Sequence, residues 1–158
     1  MNGRRNERSG PVEHGGNGRH CVGAEVEDNF EGGVVSQEET NKELVRRYFN
    51  ERWNTRNYGV VDELNGTGDK AVEEHKAFLA EVNGLLSESH LTVGDVIAED
   101  DRVALHWTFD AVLREGYSGA AGSPGEHVTY SGIAMLRIAN GKIMDDIAYS
   151  DGFDKLMS

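Results

Sequence analysis

Cysteine is nearly absent from this chain. One thiol, Cys21, stands among 158 residues, so no disulfide can close within the chain and no multi-cysteine zinc site exists. The expected setting is reducing and cytoplasmic. Basic residues are scarce too: 16 Lys and Arg against 28 Asp and Glu leave a formal charge of −12. Nucleic-acid binding needs a basic footprint, and docking on an anionic bilayer needs the same, so neither partner is expected. No apolar run approaches the roughly 18 residues of a membrane helix. Arg4, Arg5 and Arg8 are followed by no apolar core and do not read as a secretory signal. The six histidines show no ligand spacing, so no metal is expected. Gly116, Gly119, Gly122, Pro124 and Gly125 do not join a strand to a helix and so form no phosphate loop, and no organic cofactor is expected either. That stretch reads instead as a flap over a cavity mouth. An acidic domain that handles a small molecule or a protein partner is left.

Residues 1–35 hold eight glycines and one aromatic, Phe30, with no apolar period. Such a segment buries too little surface to offset the entropy of ordering it, so a disordered tail is expected there and one domain over 36–158. The tail carries four Arg against five Glu and one Asp, so about −10 of the charge belongs to the domain.

Ser36-Gln37-Glu38-Glu39 reads as a capping box. Leu44, Val45, Tyr48, Phe49 and Trp53 follow at helical spacing. A short second helix fits Val60, Val61 and Leu64. Asp69 reads as the cap of a third, with Ala71, His75, Phe78, Leu79, Val82, Leu85 and Leu86 on its apolar face. From about residue 90 the period changes to two. Leu91, Val93 and Ile97 mark one strand, Arg102–Arg114 a second, His127–Ile138 a third and Lys142–Asp151 a fourth. Asn140-Gly141 is a hairpin turn, because both residues accept positive φ. Helices first and an antiparallel meander after them define an α+β class: about three N-terminal helices packed against a curved four-stranded antiparallel sheet, with the pocket between them.

The run Asn41-Lys-Glu-Leu-Val-Arg-Arg-Tyr-Phe-Asn-Glu-Arg-Trp-Asn54, the Asp101-Arg-Val-Ala104 strand and the Arg137-Ile-Ala-Asn-Gly-Lys-Ile143 hairpin resemble SnoaL-like polyketide cyclases of the NTF2-like superfamily. The resemblance covers roughly residues 37–158. It implies a cone-shaped α+β fold, a cofactor-free reaction and a homodimer joined through the outer sheet face. Superfamily members include cyclases, isomerases, dehydratases, epoxide hydrolases and non-enzymatic binding modules, so fold alone does not name the reaction. The chain departs from the pattern twice. Leu64-Asn65-Gly66-Thr67-Gly68 runs straight into the third helix where relatives carry an extra strand and loop. The acidic-His-Trp of the last strand reads Asp145-Asp146-Ile147.

In related epoxide hydrolases the working Arg and Asp residues occupy the strand positions matching Arg102, Ala104 and Ala148. Alanine at two of them speaks against that reaction. The same match implies that the even-numbered strand residues look inward, bringing His106, Asp110, Tyr130 and Asp146 to the cavity. In the cyclases an acid/base Asp lies on the last strand, and Asp146 occupies the corresponding place. A carboxyl in an apolar pocket has its charged form disfavoured, so its pKa rises toward a useful range. The expected site is therefore Asp146 as acid/base and His106 as its orienting or proton-donating partner, with Tyr130, Asp110, Trp53 and His75 binding substrate. The expected activity is aldol-type ring closure of a small polyketide-type metabolite. The alternatives are a non-catalytic small-molecule binding protein and a pericyclic or spiro-forming cyclase that needs no base.

Overall fold

The computed structural model of the chain describes residues 35–114 and 123–152. The tail expected over 1–35 lies outside the described residues up to position 34, and the expected flap lies outside them up to residue 122. Helix α1 (Gln37–Trp53) begins where Ser36 Oγ accepts the Glu39 amide at 3.2 Å. The return half of the box is replaced by a pair between the Glu39 carboxylate and Lys42. Val45, Tyr48, Phe49 and Trp53 are buried, at the i, i+3, i+4 spacing that makes one helix face. Helix α2 (Gly59–Leu64) contributes Val60, Val61 and Leu64 to the core.

Helix α3 (Asp69–Gly84) corrects a detail of the sequence reading. Asp69 is its first residue, not its side-chain cap. Gly68 stands before it at φ +101°, a conformation that L side chains rarely adopt. The helix stops at Gly84, so Leu85 and Leu86 leave the helical face. Leu86 instead opens strand β1 (Leu86–Glu99), opposite Leu113.

Strands β2 (Arg102–Leu113), β3 (His127–Ala139) and β4 (Lys142–Ser150) complete an antiparallel sheet of order β1-β2-β3-β4. At the β3–β4 turn, Asn140 and Gly141 both have positive φ, as the dipeptide predicts. After α2, Asn65 makes a parallel bridge to Ile143, and the Gly66 amide donates to the Ile143 carbonyl at 2.8 Å. The helices cover one face of the sheet. Val103, Leu105, Trp107, Phe109 and Leu113 point into that core, with Ala134, Leu136 and Ile138 of β3.

Register decides which residues share that face, and it overturns the even-numbered rule. Val103 pairs with Leu136, Leu105 with Ala134, and Phe109 with Tyr130. An inward odd position on β2 therefore faces an inward even position on β3. His106 and Asp110 stand on the outer face instead of toward the cavity. His106 lies beside Ile133 and Tyr149, and Asp110 accepts a 2.7 Å hydrogen bond from the Thr129 hydroxyl. Ala104 is likewise outside and Ala148 inside, so the two positions matched to the epoxide hydrolases do not converge.

Between β3 and β4 the register shifts between Arg137 and Ile138. Ile138 pairs with Ile143 across the turn, but Arg137 pairs with Asp145 and Leu136 with Asp146. The bulge turns Asp146 to the helix side and leaves Asp145 outside.

Candidate active site

Five elements converge on a cavity of about 490 Å³ between the sheet and helices α1 and α3. Helix α1 sends in Phe49, Arg52 and Trp53, and α3 sends His75 and Phe78. Leu91 of β1 and Trp107 and Phe109 of β2 form an apolar wall, and Asp146, Ala148 and Ser150 descend β4 at every second position. Trp53 meets Phe109 edge-to-face with ring centres 5.2 Å apart. Gly132 of β3 lies between Trp107 and Ser150, and any Cβ there would collide with the Trp107 indole and the Tyr149 carbonyl. A ring the size of indole can lie across the sheet only because that position is glycine.

The polar part of the cavity is a cluster of three side chains. Arg52 is 5% exposed, and its guanidinium carbon lies 4.3 Å from the Tyr48 ring centre and 3.9 Å from that of Phe49. Arg52 Nη1 is 3.2 Å from His75 Nε2 and 3.4 Å from Asp146 Oδ2. Burial, followed by the positive charge of Arg52, lowers the His75 pKa to about 4 against the opposing influence of Asp146. The imidazole is therefore neutral at pH 7. Asp146 has a cation at hydrogen-bond distance and stays partly open to solvent. Its carboxylate is one of two acceptors sharing a single guanidinium nitrogen.

Of the residues expected at the site, Asp146, His75 and Trp53 line this cavity. Tyr130 faces the helix side opposite Phe109 and packs on the core, but it does not line the cavity. Burial, with Glu126 and Asp151 nearby, raises its pKa. His106 and Asp110 belong to the other face. Arg52 was missed by sequence reasoning. The available signal was its place on α1, three residues after Phe49 and one before Trp53, on a stripe that was read as purely apolar. Among the described residues, no group of three or more His, Cys, Asp or Glu comes together as a metal site.

Three helices packed on an antiparallel sheet, with a cavity between them where the buried Arg52 meets His75 and Asp146, make an α+β fold of the NTF2-like type. The family model of SnoaL-like polyketide cyclases matches residues 43–156, and the chain belongs to that family. Solved structures agree on the fold. A protein from Jannaschia sp. CCS1, proposed as a SnoaL-like polyketide cyclase, is 20% identical, with TM-score 0.63 over 80% of this chain and 97% of that one. IdmH from Streptomyces antibioticus, proposed as a polyketide cyclase, is 16% identical, with TM-score 0.60 over 74% and 94%. AclR from Streptomyces galilaeus, proposed as a hydroxylase, is 18% identical, with TM-score 0.61 over 73% and 92%. No curated protein matches the chain. At these identities the likeness is one of fold, and the neighbours span more than one proposed reaction.

Proposed function

We propose that the protein is a cofactor-independent cyclase that closes a ring in a small polyketide-type metabolite by aldol chemistry, with Asp146 as its acid/base. The observation that carries this reading is the position of Asp146. It is the one carboxylate among the described cavity residues, set against aromatic walls and within reach of a buried cation. Asp146 removes a proton from a carbon next to a carbonyl. The C–H electron pair becomes the enolate π bond, and the enolate carbon attacks a second carbonyl of the same molecule. The protonated Asp146 then returns its proton to the new alkoxide, so the carboxylate is regenerated and nothing else is consumed. His75 takes the place expected for His106 as the neighbouring imidazole. The apolar wall of Phe49, Trp53, Trp107 and Phe109 suits a flat, largely hydrophobic substrate.

The reading extends to assembly and setting. Ile97, Met135, Ile147, Ile133 and Tyr149 expose an apolar patch on the outer sheet face, at 49–71% exposure each. We infer that a second copy covers it in a homodimer. A cytoplasmic setting accords with the single thiol.

The experiment follows enolisation directly. Deuterium incorporation from D2O into a β-keto ester probe is expected to be accelerated by the wild type. In Asp146→Asn the acceleration should fall by about 10² or more, and in Asp145→Asn it should be unchanged. Equal exchange by wild type and Asp146→Asn would remove the acid/base role and favour a ring closure that needs no base.

A further inference from the structure

Arg52 has more donors than its visible partners use. Its Nη1 serves both His75 and Asp146, while neither Nε nor Nη2 donates to any described residue. Nε is fully buried without a partner. A buried N–H left unmade is costly, and a buried guanidinium is more so. The aromatic faces of Tyr48 and Phe49 hold the cation in place without consuming those donors. Arg52 is thus a partly unsatisfied cation at the wall of a cavity lined largely by aromatic and aliphatic side chains. Among the residues that line the cavity it is the only Lys or Arg, and Asp146 is the only Asp or Glu.

We propose that Arg52 is the oxyanion-binding group of this site, the donor that receives the enolate oxygen as Asp146 takes the proton. This rests on the acid/base reading of Asp146. The charge balance supports it. Before the reaction, guanidinium and carboxylate neutralise each other. When the proton moves from substrate carbon to Asp146, the negative charge passes to the substrate oxygen, and the guanidinium loses its anionic partner as a new one forms beside it. Total charge in the cavity stays at zero throughout. Without Arg52 the enolate would form in an apolar space with no counter-charge. A fixed donor that needs no rearrangement to meet developing charge is what stabilises such a species. The site would therefore favour ligands carrying a stable enolate over neutral ketones of the same shape. The ionisable groups around the cluster are Arg52 and Tyr48 from α1, His75 from α3, and Asp146 from β4.

The test is calorimetric binding of two probes to the full chain at pH 7: 5-phenylcyclohexane-1,3-dione, which is an enolate at that pH, and 3-phenylcyclohexanone, its neutral counterpart. The dione is expected to bind the wild type at least tenfold more tightly, taking up close to one proton from buffer. That uptake should vanish in Asp146→Asn and persist in His75→Gln. Arg52→Lys and Arg52→Gln are expected to lose the dione by tenfold or more and the ketone by less than threefold, with circular dichroism verifying the fold. A purely structural arginine would weaken both probes alike, which overturns the proposal. So does equal affinity of the wild type for the two probes, or no binding of the dione at millimolar concentration; these need no variant and hold even if the Arg52 variants fail to fold. Failure of the acid/base reading is separate. It would appear as unchanged deuterium exchange in Asp146→Asn while the dione preference and its dependence on Arg52 stand.

Discussion

The Arg52 guanidinium points Nη1 at Nε2 of His75 across 3.2 Å. A guanidinium has donors only, so Nε2 must accept, and the imidazole carries its proton on Nδ1. A residue 23 positions away in sequence thereby sets the tautomer and charge of His75. Protonating this ring would place a second cation against Arg52 in a buried site.

Stability should therefore fall as the solution is acidified. His75 titrates near 4 when folded and near 6.5 when unfolded. Between those values the unfolded chain binds the proton and the folded one does not, so this residue works against folding progressively as pH drops from about 6.5 toward 4. Urea unfolding at pH 7 and at pH 4.5 measures the effect. In His75→Gln, where the side-chain oxygen can still accept from Arg52, the loss on acidification should be smaller than in wild type. Equal losses would show that His75 takes no part.

Asn54 holds the end of α1 to the sheet. Its amide donates to the Leu91 carbonyl at 2.8 Å, and its carbonyl accepts the Leu91 amide at 2.7 Å. This pair occupies both polar groups of a backbone unit beside the cavity. Asn54→Ala would leave both without partners, and a loss of about 1–3 kcal/mol in unfolding free energy is expected. Asn54→Asp, which keeps the acceptor and loses the donor, should fall between.

Gly132→Ala tests the packing of the cavity wall. The added methyl has no space beside the Trp107 ring, so the indole must move into the cavity or the strands must part. Overpacking of this kind costs about 1–3 kcal/mol. A lower melting temperature together with altered tryptophan fluorescence is the expected result. An unchanged spectrum would mean that the strand absorbs the strain instead.

The outer face provides a test of assembly. Ile133 and Tyr149 are neighbours across β3 and β4, exposed at 59% and 71%. Sedimentation should give a dimer for the wild type and a monomer for Ile133→Glu combined with Tyr149→Glu. A monomeric wild type at micromolar concentration would remove the homodimer from the reading.

Much of the architecture follows from local chemistry in the chain. The Ser36 cap, the spacing of Val45, Tyr48 and Phe49, and the Asn140-Gly141 turn are signals within a few residues, and they define α1 and the last hairpin in any context. Alternation likewise separates the two faces of β2, but bulges break it in β1, where Ile97 leaves the face of Leu91, and in β4, where Ile143 and Asp146 share one. Periodicity does not say how one strand's faces line up with the next. Between β2 and β3 the pairing sets odd residues against even ones, which sends His106 and Asp110 outside. Between β3 and β4 one bulge chooses Asp146 over the adjacent Asp145. These choices depend on register across a connection, an energy shared among many pairs and written in no single residue. Arg52 shows the same division. Its place on a helix face is legible, but a charge on an apolar stripe acquires meaning only when α3 and β4 bring His75 and Asp146 to it. The sequence alone therefore determined the elements, the class and the family resemblance. Tertiary structure decided which carboxylate meets which cation, because a charge pair exists only once distant segments are brought together.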